Sequence, residues 1–370
     1  MVVRVATYNA ALNRPYAGAL KQVLTCFDKL NPHTWDKQAM AVALVIRHVR
    51  PDILLLNEFD YDESGESLAA FCEHYLENPN LPQAKLAPPI YYPERFSAPV
   101  NTGLPSGRDF DKDGVASDKG ADALGFGAFP GQYGMLVLSQ YPVLKASFRS
   151  FQHFLWTQMP NAKLPQKSEK QGGGSWFDQE DLAKLPLSSK SHWDLPVQLD
   201  EGVLHLLCSH PTPPVFDGDE KRNACRNHDE IRFWRDYVQG EHYMIDDKGV
   251  IGGLTQGDEF LVLGDLNASL KEGDAMTQSL QQLLDTLAIK QTQLPISEGA
   301  VEHSPNLPWA KWHTASWRLN ADYVLYPRTL DRKYFVQKQG VFWPEASSPM
   351  ARSVKLASDH RLVFVDLKSK

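Results

Sequence analysis

The chain has 370 residues, of which 42% are hydrophobic, and a formal net charge of -7. That length gives one large domain or two ordinary ones, and that apolar content excludes wholesale disorder. No apolar run reaches the length of a membrane span, and the acidic balance weighs against a protein that grips long nucleic acid along a basic face.

In chain order, residues 2–8 read as a strand. Neither a charged segment nor a long apolar stretch precedes it, so no signal peptide is visible. The location stays open: periplasmic or secreted if a signal has been removed, cytoplasmic otherwise. Residues 35–49 carry Met40, Val42, Leu44, Val45 and Val49 at helical spacing, and Pro51 stops that helix. Residues 53–56 follow as a fully apolar strand. Residues 135–138, 203–208, 260–263, 323–325 and 362–365 are further strands, and residues 228–237 and 275–287 read as helices. Strands that are apolar throughout are buried on both faces, which predicts an α/β fold with sheets inside helical layers. No composition break marks a boundary, so residues 1–370 read as one domain. Residues 78–122 and 159–187, rich in Pro, Gly and charge, are long excursions from it. Cys26, Cys72, Cys208 and Cys225 form no metal-binding spacing and read as buried free thiols, with one disulfide left open.

The apolar runs repeatedly meet an acid, amide or imidazole. The first ends in Asn9 and the second in Asn57-Glu58. Others end in Ser209-His210 and in Gly264-Asp265-Leu266-Asn267. Asp322 opens residues 323–325, and Ser358-Asp359-His360 opens the last strand. Singly, each is an ordinary turn or cap residue. Together, on strands of one sandwich, they converge at one rim. Glu58 and Asp359 offer hard oxygens suited to Mg²⁺, Mn²⁺ or Ca²⁺. His210, His360 and Asp265 suit the orientation of water and the stabilisation of phosphoryl charge.

This ordered set, Thr7-Tyr8-Asn9 through Ser358-Asp359-His360, resembles the endonuclease/exonuclease/phosphatase superfamily, the fold of pancreatic deoxyribonuclease. The resemblance implies a four-layer α/β/β/α sandwich, two mixed sheets face to face with helices outside. It implies a phosphoesterase dependent on Mg²⁺ or Mn²⁺ that hydrolyses phosphate mono- or diesters by attack of an activated water. By the same resemblance Glu58 is the principal metal ligand, with Asn9 and Asp359 nearby. Asp265 orients or deprotonates the water, and Asn267 and His210 contact the scissile phosphate. His360 is a base or transition-state stabiliser, oriented by Asp322. The alternatives are an endo- or exonuclease of the same fold and a catalytically silent binding protein. The acidic charge speaks against the former and the complete residue set against the latter. One departure stands out. Pancreatic-type nucleases carry a carboxylate opposite the first histidine, where this chain reads Gly131-Gln132-Tyr133-Gly134. His210 therefore lacks that partner, and Tyr133 either contacts phosphate or packs in the core.

Further features lie outside that pattern. Asp109, Asp111, Asp113 and Gly114 match the front of a calcium loop, with Asp118 or Asp122 in place of the usual last glutamate. The alternative is a solvated acidic loop. A hairpin before residues 203–208 would bring Lys190 or His192 towards the site. Arg226, near a helix start, is placed either to hold a phosphate or to lie in a surface turn. Trp312, Trp317 and Trp343 read as core or loop anchors more readily than as stacking platforms.

Overall fold

The computed structural model describes residues 2–28 and 31–370. In chain order its elements are β1 (Val2–Leu12), α1 (Ala19–Thr25), α2 (Lys37–Val49), β2 (Ile53–Phe59), α3 (Glu66–Phe71), β3 (Glu94–Ser97), β4 (Met135–Ser139), β5 (Arg149–Ser150), α4 (Gln179–Leu182) and β6 (His192–Leu199). They continue with β7 (Gly202–Ser209), α5 (Arg222–Val238), β8 (Glu259–Asp265), α6 (Thr277–Thr286), α7 (Glu298–His303), β9 (Asp322–Leu325), β10 (Tyr334–Val341), α8 (Ala351–Ala357) and β11 (Val363–Ser369). Local chemistry sets the ends. Asp36 caps α2 by accepting from Ala39 N at 2.7 Å, and Arg50 ends it in a left-handed conformation just before Pro51.

One sheet has the order β10-β11-β1-β2-β4-β3 and the other β5-β6-β7-β8-β9, both mixed. Strand alternation divides the apolar side chains among three cores. Val5, Leu55, Val137, Leu206, Leu263 and Val365 fill the space between the sheets. Ala6, Leu54 and Leu138 face outward and pack under α2. Leu207, Val262 and Leu325 face outward on the second sheet, against α5 and α6. Three apolar cores separate four layers, the predicted α/β/β/α sandwich.

Parallel pairing of β1 with β2 sets Asn9 beside Asn57, and parallel pairing of β7 with β8 sets Cys208 beside Leu263. Antiparallel β9 opposes Asp322 to Asp265. The polar strand ends thus share one rim. Close approach there requires Gly264, whose φ is 144° and where a Cβ would lie 1.9 Å from the Ser209 carbonyl oxygen.

The two excursions brace each other. Arg108 forms ion pairs with Asp178, Glu180 and Asp181, and Lys112 reaches Asp181 at 2.6 Å. Trp176 donates its indole N–H to the Phe110 carbonyl at 2.9 Å. All four cysteines are free; Cys72, Cys208 and Cys225 are buried, whereas Cys26 is exposed. No helix among the described residues is long and apolar enough to cross a membrane.

Candidate active site

Asn9 sits at the centre of the rim. Its amide nitrogen donates to Glu58 Oε1 and to Asp265 Oδ2, each at 3.0 Å, and lies 3.5 Å from His360 Nε2. Asn13 supports the other Glu58 oxygen at 3.3 Å. Asp265 accepts the Asn267 backbone N–H on Oδ1 at 2.9 Å, while its Oδ2 faces His210 Nε2 at 3.4 Å and His360 Nε2 at 3.7 Å. His360 Nδ1 donates to Asp322 Oδ2 at 2.9 Å, and the Thr314 hydroxyl donates to the same oxygen at 2.7 Å. Glu58, Asn267 and Tyr133 all hold left-handed backbones, with φ of 60°, 50° and 56°. Such strain in non-glycine residues concentrates at functional sites.

The chain matches the model of the Endonuclease/Exonuclease/phosphatase family over residues 6–360. It belongs to that family. Family members are hydrolases that act on phosphoester bonds, among them metal-dependent phosphoesterases and nucleases. An endonuclease/exonuclease/phosphatase from Beutenbergia cavernae DSM 12333 has a similar structure, with a TM-score of 0.52 and 17% identity over 100% of this chain and 72% of that one. The human nocturnin catalytic domain with bound sulfate is 14% identical, covering 100% of this chain and 94% of that one at a TM-score of 0.44. Sphingomyelinase C from Streptomyces griseocarneus is 14% identical over 99% of both chains at a TM-score of 0.42. No curated protein sequence matches the chain.

In this member of the family, electrostatics separates the two histidines. Burial opposes charge on both. At His360 the carboxylates of Asp322 and Asp265 outweigh burial and raise its pKa to about 10. At His210 burial and the nearby Lys190 ammonium prevail, and its pKa falls. Its Nδ1 is buried without a hydrogen-bond partner among the described residues, as the departure at Gly131-Gln132-Tyr133-Gly134 implies. Burial raises Asp265 less than His360, His210 and Asn9 lower it, so this carboxylate stays ionised. The carboxylate oxygens of Glu58 and Asp265 are hard donors of the kind that suits Mg²⁺ or Mn²⁺, whereas Asn9, expected beside the metal, turns its amide nitrogen to both carboxylates and its Oδ1 to Ala11 N at 3.1 Å.

Other expected residues are placed differently. Asp359 is exposed; its carboxylate acts electrostatically on His360, and its carbonyl accepts from Ser316 N at 2.7 Å. His192 is turned away from the rim. It is buried on the outer face of β6, between the Ser188 hydroxyl and the Glu230 carbonyl, because its neighbour Trp193 takes the inner face. The Arg226 guanidinium holds three main-chain carbonyls, those of Leu187, Leu124 and Pro186, so it clamps loops instead of lying in a turn. Lys190 is buried and lies near both Glu58 and His210. In the acidic loop, carboxylate oxygens of Asp109, Asp111 and Asp122 lie within 4.8 Å of one another. Asp113 and Asp118 stand outside that trio, exposed, with Asp113 spent on Val115 N.

Sequence reasoning missed Thr314 and Asp60 and read Trp317 as a core or loop anchor. Thr314 braces Asp322 from a loop with no motif. Asp60 accepts from the backbone N–H groups of Arg14 and Tyr133, and burial pushes its pKa up to about 7. Trp317, half exposed, sets its ring edge-on to His360 at 5.6 Å.

Proposed function

We propose that the chain is a divalent-metal-dependent phosphoesterase that hydrolyses phosphate mono- or diesters with an activated water. The observation that carries this reading is the single connected set Glu58–Asn9–Asp265–His360–Asp322 at the rim. Glu58 would hold Mg²⁺ or Mn²⁺, with Asp265 and Asp359 close by, and Asn9 links Glu58 to Asp265 through its amide nitrogen. The metal, when bound, supplies positive charge against the phosphoryl oxygens. The trio Asp265, Asp322 and His360 also lies within metal-binding reach. Asp322 Oδ2 is already committed to Thr314 and His360, so we assign that trio to proton handling and orientation.

In the reaction the water oxygen bonds to phosphorus and the ester P–O bond breaks. The water's proton passes to the Asp265 carboxylate, and the departing alkoxide takes a proton from solvent. Asp322 fixes the His360 ring so that Nε2 faces the charge growing on the phosphoryl group. Asn267 and His210 complete the phosphate contacts. We also propose that the loop oxygens of Asp109, Asp111 and Asp122 hold a structural Ca²⁺.

A small ester is preferred over a nucleic-acid polymer because apolar side chains line much of the cavity beyond the rim, beside Lys190, Arg222 and Arg226, and because the net charge is -7. The test is hydrolysis, with Mg²⁺ or Mn²⁺, of a chromogenic monoester, a chromogenic diester, a phospholipid and plasmid DNA. Turnover of one of the first three, lost in Glu58→Gln with an unchanged melting temperature, is expected. Nicking of plasmid alone would replace this reading with a nuclease. No turnover in any arm would overturn it.

A further inference from the structure

Beside the reactive rim lies a cavity of about 490 Å³. Glu58 and His210 form part of its lining, and Phe110, Trp156, Phe177, Leu185 and Val215 give it apolar surface. Its volume suits a small-molecule site. Both excursions build it: Phe110 comes from the first and Phe177 from the second, held together by the Arg108 and Lys112 ion pairs. Two aromatic residues of the same cavity are turned to solvent, Phe126 at 65% and Phe216 at 95% exposure. Phe216 also has a φ of 60°, a conformation that a bulky residue adopts only under constraint. The fold thus keeps large apolar side chains uncovered at a cavity whose other end is the reactive rim.

Lys190 supplies the second observation. It lines the cavity and is 6% exposed. Among the described residues, no carboxylate oxygen lies within 4.0 Å of its ammonium. Glu230, Glu58 and Asp265 act on it only from farther away. The Lys190 side chain is largely withdrawn from solvent, so an anion entering the cavity meets a cation that no carboxylate neutralises at contact distance. The hydroxyls of Ser189 and Thr212, two further lining residues, are also buried without a partner. Cation, reactive groups and apolar wall therefore meet in one partly open cavity.

Resting on the phosphoesterase reading above, we propose that the cavity receives the apolar group that stays on phosphorus, the non-leaving alkyl or aryl substituent of several carbons in a phosphodiester, and that Lys190 binds a non-bridging oxygen of its phosphoryl group. A sugar-phosphate chain would set polar, charged groups against the same wall. The cavity discriminates by apolar area, and each methylene buried is worth about fourfold in affinity.

The experiment compares p-nitrophenyl methyl phosphate with p-nitrophenyl hexyl phosphate in the presence of Mg²⁺ or Mn²⁺. In both, water bonds to phosphorus, the P–O bond to p-nitrophenolate breaks, and the alkyl phosphate remains. The hexyl ester should show a kcat/KM at least tenfold higher. A phenyl ester in a third arm reads whether the wall prefers flat or flexible groups. Ala121→Trp, which fills the cavity, should bring the hexyl-to-methyl ratio down towards one. Lys190→Met should lower both rates by a similar factor and leave the ratio in place. Equal kcat/KM for the two esters in the parent protein would overturn the cavity assignment and leave the hydrolase reading standing. A second readout is independent of turnover: hexylphosphonate should raise the melting temperature at concentrations where methylphosphonate does not. Equal shifts would overturn the proposal even if no ester were hydrolysed, an outcome that would separately end the phosphoesterase reading.

Discussion

Asp322 makes both its contacts through one oxygen, receiving the Thr314 hydroxyl and His360 Nδ1 on Oδ2. If the pair works as one unit, Asp322→Asn and His360→Ala should each lower the rate by about 10²–10⁴. The double variant should then cost little more than the worse single, and multiplicative losses in steady-state kinetics would show separate roles. His192 makes a different residue-scale prediction. Burial lowers its pKa to about 4, so the neutral ring is the folded form, with Nε2 donating to the Glu230 carbonyl and Nδ1 accepting from Ser188. A histidine with a depressed pKa stabilises fully above its unfolded value, about 6.5, and that stability is lost as pH falls towards 4. By pH 5 the loss from this group is about 2 kcal/mol. Denaturant melts at pH 7 and pH 5 should show that loss in the parent and a smaller one in His192→Gln; equal losses would count against it. The same residue shows where sequence is silent. The motif places the end of a strand, so Asn9, Glu58, His210, Asp265 and His360 were legible. It does not say which face a neighbouring strand turns inward, and so His192 was expected at the rim. Thr314 and Asp60 were invisible because they act on a site residue or backbone from loops with no periodic signal.

At the scale of elements, continuous apolar runs disclosed most of the central strands, whereas β6, interrupted by Asp194 and Pro196, and β10 at the edge were not legible. The β10 sequence, Tyr334–Val341, includes Gln337, Lys338 and Gln339, because only one side of an edge strand is paired and its faces are largely solvated. The acidic loop is the element whose role is most open to measurement. Asp122 accepts three backbone N–H groups, from Phe110 at 2.7 Å, Ser117 at 2.9 Å and Asp111 at 3.3 Å. These bonds outweigh burial and hold its pKa below the usual carboxylate value. Asp122 thus shapes the loop with or without an ion, and Asp109 and Asp111 complete the set of oxygens. A calcium ion bound only by the folded chain stabilises it by about 2.7 kcal/mol at a hundredfold excess over its dissociation constant. Calcium should therefore raise the melting temperature of the parent and do so far less in Asp109→Asn/Asp111→Asn. Glu58→Gln should keep the response. An undiminished rise in the loop variant would place the ion elsewhere.

The whole molecule depends on the core between the sheets. Trp193 on β6 is fully buried there, with Phe96 of β3 at 5.6 Å and Phe148 at 6.1 Å, both edge-on to it. β3 belongs to the first excursion and pairs with β4, so this cluster joins an excursion and both sheets. The polar rim has the same dependence: Asn9 and Glu58 come from one sheet, His210, Asp265 and Asp322 from the other. A large-to-small change at such a site costs about 3–5 kcal/mol, the lost apolar transfer plus the void left behind. Trp193→Ala should accordingly weaken every layer at once. Far-UV circular dichroism, tryptophan fluorescence and hydrolytic activity should lose their native values along one coincident denaturant curve, shifted to lower concentration in the variant. If residues 1–370 instead formed two independently stable units, the curves would separate into two steps, and Trp193→Ala would move only one of them.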